Sequence, residues 1–148
     1  MKLVFACSLA ALACATRAAA GEVSCVYEEG VLVAPASVAG VAGDYIIDTG
    51  ETETLLHETR AQGNGFAEAD VTGEVRLAGE TLDGRPVKVR DLDARTFPFR
   101  TPIAGVIGAD SLSAYVVDIS FSPCRLRVWR PMEAPAFRAD AALSLTGM

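Results

Sequence analysis

Tyr45-Ile46-Ile47-Asp48-Thr49-Gly50 decides how this chain reads. An apolar, β-branched run with an aromatic residue suits a buried strand, and the break to Asp-Thr-Gly marks the strand's end. A second element follows, Gly105-Val106-Ile107-Gly108-Ala109-Asp110-Ser111-Leu112, with Gly108 sixty positions after Asp48. Asp-Thr-Gly alone is three common residues. At the end of a buried strand, and followed by a second apolar-apolar-Gly element, it is a candidate catalytic loop. Gly50 lets the backbone turn back sharply. Amide N–H groups packed close by would then aim at the Asp48 carboxylate.

Short β-type segments run outward from this loop in both directions. Ser24–Val33 reads as one strand or two around Glu28-Glu29-Gly30, and Gly40-Val41-Ala42-Gly43 as a turn into Asp44–Ile47. Glu53–His57 is a further short strand, followed by a turn or brief helix to Gly63-Asn64-Gly65. Asp70–Ala78 and Leu82–Leu92 read as hairpin arms, with a turn at Leu82-Asp83-Gly84-Arg85. Pro98 and Pro102 bracket an irregular connection, Ala109–Tyr115 is a short helix, and Val116–Phe121 and Arg125–Arg130 are the last strands. Glu133–Met148 loses periodicity and reads as a flexible C-terminal tail. The expectation is one all-β domain over residues 21–132.

The first twenty residues read as a secretory signal peptide: Lys2, an apolar stretch from Leu3 to Ala15, then Ala18-Ala19-Ala20 as cleavage site. The apolar stretch is too short to span a membrane. Ala11-Leu12-Ala13-Cys14 loosely resembles a lipoprotein cleavage box with leucine one place off, so a lipid anchor at Cys14 is the rival reading. Cleavage after Ala20 removes Lys2 and Arg17 and no acidic residue. The remainder carries 19 acidic and 11 basic side chains, a net charge of −8. That balance, with no basic cluster, argues against a nucleic-acid partner. Cleavage also removes Cys7 and Cys14, leaving Cys25 and Cys124 as one pair in a secreted or periplasmic compartment. They are expected to form a disulfide, the alternative being two buried thiols. No His or Cys cluster surrounds them, so no metal site is expected.

With these residues in hand, the chain resembles the retropepsin-type aspartic proteases, in particular the small secreted or periplasmic bacterial ones with a single Asp-Thr-Gly. The resemblance covers roughly Val31–Trp129. It rests on Tyr45–Gly50, on Gly105–Leu112 and on Val116-Val117-Asp118-Ile119. It implies a small closed β-barrel with one short helix and an endopeptidase without cofactor. Asp48 would be half of a catalytic pair, supported by Thr49 and Gly50. Ile107 and Gly108 would form the structural second motif. Val71-Thr72-Gly73-Glu74-Val75 falls where the family carries its flap hairpin, making Gly73 the flap candidate. Asp118 falls at a structural position of the family. Asp70, Asp83, Asp91 and Asp93 read as solvated charges, so the second carboxylate would come from Asp48 of another copy in a homodimer. Ile47, Ile103 and Val106 would neighbour a cleft that takes a peptide or unfolded segment.

The chain departs from the family after Asp-Thr-Gly, where Ala or Ser is usual and Glu51 stands instead. A carboxylate there adds negative charge beside the pair unless it points to solvent or pairs with an arginine. A non-catalytic peptide-binding or interaction module of the cell envelope is therefore the alternative to an active enzyme. His57, the one histidine, has no Ser or Cys constellation and reads as a surface or partly packed residue, which disfavours a triad hydrolase. Trp129 reads as a core or dimer-contact hydrophobe.

Overall fold

Three hairpins are built on two-residue turns whose central residues both have positive φ: Glu29-Gly30, Ala39-Gly40 and Ala78-Gly79. Such turns match the twist of the strands they join, and glycine at the second position carries the left-handed conformation without strain. The computed structural model describes residues 21–138. The expected signal peptide, Cys14 and the tail from residue 139 onward lie outside the described residues.

The strands are β1 (Gly21–Ser24), β2 (Val26–Glu28), β3 (Val31–Val38), β4 (Val41–Ile47), β5 (Leu55–His57), β6 (Asp70–Leu77), β7 (Glu80–Arg90), β8 (Ile103–Ile107), β9 (Val116–Phe121) and β10 (Cys124–Trp129). The helices are α1 (Glu58–Gly63), α2 (Asp93–Thr96) and α3 (Ala109–Leu112). Strands β3-β4-β8-β5-β7-β6 lie side by side, and β6 pairs back onto β3 through Ala36–Val38 and Val75–Leu77. The pairing closes a six-stranded barrel, as expected. β2 extends β3 on its outer side, and β1-β10-β9 form a separate antiparallel sheet. Among the described residues, three short helices are present where the resemblance implied one.

β4 explains why its apolar residues are consecutive. Tyr45 and Ile47 join the larger core with Leu56, Val87, Ile107, Leu126 and Val128. Ile46 faces the other way, into a second cluster with Val33, Leu55, Leu92, Ile103 and Val106. A strand buried on both faces cannot alternate apolar with polar. The Tyr45 hydroxyl, fully buried, donates to the Val41 carbonyl at 2.7 Å. Burial holds it well above the usual tyrosine range, so it stays a neutral donor.

Two hairpin readings need correction. The turn expected at Leu82–Arg85 lies inside β7 as a bulge: Gly73 opposes Arg85 while Val75 opposes Leu82, so β7 carries one extra residue, and Gly84 has φ +62°. Gly73 stands within β6, not at a hairpin tip. A Cβ there would meet the Ala39 backbone at 2.6 Å, so β6 is pressed onto the neighbouring turn as barrel wall. The tip of that hairpin is Ala78-Gly79, packed against Gly21.

Cys25 and Cys124 form a disulfide, with Cα atoms 5.0 Å apart. It prolongs the β1–β10 ladder, in which Ser24 opposes Arg125. Strand structure ends at Trp129, and residues 133–138 carry neither helix nor strand.

Candidate active site

β4 and β8 run parallel and adjacent, with Ile47 opposite Ile107. Asp48 and Gly108 are the next residues of each strand, so the two sequence motifs, sixty residues apart, emerge side by side at one end of the barrel. The Asp48 amide donates to the Ile107 carbonyl at 3.1 Å, and the Ala109 amide to the Glu51 carbonyl at 2.7 Å. The loop from Asp48 to Thr54 is thereby strapped to the start of α3.

Gly108 makes that strapping possible. A Cβ on it would overlap the Glu53 carbonyl oxygen and stand 2.9 Å from that of Glu51. Both obstacles are backbone, which cannot swing aside as a side chain can. Gly108→Ala is expected to destabilise the protein by about 1–3 kcal/mol, read as a lowered thermal midpoint. An unchanged midpoint would mean that the loop has slack to give.

Thr54 fastens the same junction from below. It is fully buried. Its hydroxyl donates to Asp110 Oδ1 at 2.7 Å, lies 2.8 Å from the Ser111 hydroxyl, and accepts from the Gly108 amide at 3.3 Å. Asp110 Oδ1 also takes the Ser111 amide at 2.7 Å, and Arg85 donates to the Asp110 backbone carbonyl. Four polar groups drawn from two distant segments are thus satisfied by one another. Asp110 has a structural role here, and Thr54 is a support that sequence reading missed. Its place six residues after Asp48 was the available signal.

At the surface of this support, the Gly50 amide donates to Asp48 Oδ1 at 2.8 Å. Gly50 has no positive φ. Its value is close approach, since a Cβ there would stand 3.2 Å from Oδ1. Thr49 and Gly50 are exposed, and the Asp48 side chain is 31% exposed.

The other oxygen, Asp48 Oδ2, accepts from Arg95 Nη2, while Arg95 Nη1 donates to Glu51 Oε2 at 3.0 Å. Glu51 therefore pairs with an arginine, one of the arrangements its position allowed. Arg95 lies on α2, in the connection from β7 to β8. It lies before the irregular connection read between Pro98 and Pro102, and no sequence motif marks the residue. Asp91 Oδ1 takes the Asp93 amide at 2.8 Å at the start of α2. Asp93 Oδ1 lies 3.1 Å from His57 Nε2. His57 is buried, and its Nδ1 accepts the Thr59 amide at 3.4 Å as the cap of α1.

The remaining acidic residues go elsewhere. Asp118 pairs with Arg127 at 3.2 Å in the β1-β10-β9 sheet. Asp70 lies 2.7 Å from Lys88, whose hydrogen bond holds its carboxyl below the usual range. Asp83 is exposed in the β7 bulge. Ile47, Ile103 and Val106 are buried in the core, so they back the loop and do not present a surface beside Asp48. Ile103 also lines a cavity of about 300 Å³, shared with His57, Thr59, Arg60, Thr96 and Phe99. Trp129 is half-buried at the end of β10, with its indole N–H unpartnered. Among the described residues, no helix is long and apolar enough to cross a membrane.

A family model described as aspartyl protease matches residues 34–120, which contain both motifs. No curated protein matches the sequence. Among solved structures, the chain is similar to a retropepsin-like aspartic protease from Rickettsia conorii. That likeness has 18% identity and a TM-score of 0.54, over 74% of this chain and 91% of that one. It is also similar to the retroviral protease-like domain of Ddi1 from Leishmania major, at 15% identity and a TM-score of 0.46, over 73% of this chain and all of that one.

Proposed function

The chain belongs to the aspartyl protease family, and on that premise we propose that it is a homodimeric aspartic endopeptidase whose catalytic pair is Asp48 from two copies. One observation carries the reading. Asp48 sits on a loop strapped to the second motif, with one oxygen fixed by the Gly50 amide and with Thr49 and Gly50 exposed beside it. A loop presented in this way suits a two-fold axis on which a second Asp48 completes the site.

Two carboxylates a few ångströms apart share one proton. The ionised Asp48 takes a proton from a bound water, and the resulting oxygen attacks the scissile carbonyl carbon. The protonated partner donates to the carbonyl oxygen. Collapse of the tetrahedral intermediate breaks the C–N bond as a proton passes to the leaving amine. Thr49 would bond across the axis and set the spacing of the pair. The Cys25–Cys124 disulfide suits an oxidising, secreted or periplasmic setting. The substrate on this reading is a peptide or an unfolded segment.

A second reading, a non-catalytic peptide-binding module, draws on one feature: Arg95 occupies the Asp48 oxygen that the reaction needs. The test is cleavage of a mixed peptide library by protein from residue 21 onward, between pH 3 and 8, with dimerisation followed by sedimentation. Cleavage that rises with the dimer fraction and is absent from Asp48→Asn supports the enzyme. A folded dimer that cuts nothing favours the binding module. A monomer that cleaves peptides equally well would sink the shared pair.

A further inference from the structure

The Arg95 guanidinium meets the site through charged hydrogen bonds. Helix α2 buries none of its residues. The connection is anchored at its ends, where Leu92 and Phe99 pack into the cluster with Ile46, Ile103 and Val106. Between those anchors the hydrogen bond from Arg95 to Asp48 and its pairing with Glu51 bring the guanidinium over the loop. Swinging the side chain away therefore breaks no strand pairing and moves no fully buried residue of α2.

The position it occupies is specific. Asp48 Oδ1 is taken by the Gly50 amide, so Oδ2 is the oxygen free to face a ligand, and Arg95 covers it. While the guanidinium donates to Oδ2, it crowds that oxygen against the water or substrate group that would otherwise meet it. Displacement leaves Arg95 with one carboxylate partner, Glu51, in a setting where the Arg95 side chain is only 34% exposed. A partly desolvated guanidinium that has lost a charged acceptor is unfavourable unless another replaces it. Its planar donor fork fits a carboxylate best.

We propose that Arg95 is a displaceable plug on Asp48 and the specificity-determining residue of this site, opening most readily for peptides that bring a carboxylate beside the scissile bond. The inference rests on the aspartic-protease reading. It adds to that reading a substrate class, acidic peptides, and a resting state in which the site is covered.

The probes are statine-containing peptides with Glu or Gln at each position flanking the statine, whose hydroxyl takes the place of the attacking water. Calorimetric titration into wild type, Asp48→Asn, Arg95→Gln and the double variant Glu51→Gln/Arg95→Gln reads binding without turnover. The wild type is expected to bind a Glu peptide up to about fivefold tighter than its Gln counterpart. Arg95→Gln is expected to bind both alike, and the Gln peptide up to about fivefold tighter than wild type does. Because no residue of α2 is fully buried, the thermal midpoint of Arg95→Gln should stay near that of wild type.

Asp48-dependent binding with the same Glu-to-Gln ratio in wild type and Arg95→Gln would overturn the plug alone. So would weaker binding of both peptides by Arg95→Gln that the double variant restores, since Arg95 would then serve only to neutralise Glu51. If no peptide binds any variant in an Asp48-dependent way, the aspartic-protease reading falls and takes the plug with it.

Discussion

Asp48→Asn is expected to lower kcat/KM for peptide cleavage by at least about 10³-fold while the protein keeps its fold and its dimer. In a symmetric pair the substitution removes both the base that activates water and the acid that protonates the carbonyl oxygen. Asparagine Oδ1 can still accept the Gly50 amide, now 2.8 Å from the carboxylate oxygen. The bond lost is the one to Arg95, between side chains 31% and 34% exposed, and solvent screening holds its worth below about 1 kcal/mol. Activity and stability should therefore separate cleanly: cleavage disappears and the thermal midpoint moves little. A collapse of both would show Asp48 to be a structural residue.

The same variant tests whether the site is shared. Mixing equal amounts of wild type and Asp48→Asn, and allowing subunits to exchange, makes about half of all dimers mixed. Each mixed dimer holds one carboxylate and one amide, an incomplete pair. Activity per wild-type subunit should then fall to about half. Activity that simply follows the amount of wild type would mean that each chain cuts alone, and the second carboxylate would have to be sought within it.

The parts of this site that were legible are those written as local pattern. Tyr45-Ile46-Ile47 announced a strand buried on both faces, and β4 is one. Gly108 was readable as a packing glycine because an apolar strand leads into it. Gly73 was placed by family spacing, which does not fix where a hairpin turns: β6 runs on past it, paired with β3 and β7, to a tip at Ala78-Gly79. Gly84 shows the same limit, since a glycine that reads as a turn also serves as a bulge. Arg95 and His57 were illegible for a different reason. Their roles depend on which segment the barrel brings opposite them, 47 residues away for Arg95 and Asp48, and nothing in the local pattern carries that information. Glu51 stood between these cases. Its charge demanded a partner, but the sequence could not say which.

Replacing both Cys25 and Cys124 by serine is expected to produce the largest loss of stability. The crosslink spans 99 residues, and closing a loop of that length in the unfolded chain is worth about 4–5 kcal/mol in the chain-entropy model, an upper figure. Single domains are stable by roughly 5–15 kcal/mol, so the loss is a large share of the whole. The thermal midpoint should fall by about 10 °C or more. The folded structure says where opening would begin. β1 has four residues and pairs with β10 alone, whereas β10 is held from both sides and sends Leu126 and Val128 into the core. Without the bond at its end, β1 should fray first, and hydrogen exchange should quicken at Glu22–Ser24 before the barrel strands. Wild type treated with reductant should reproduce both effects. A double variant that melts within about 2 °C of wild type would mean that the unfolded chain stays compact enough for the crosslink to constrain little.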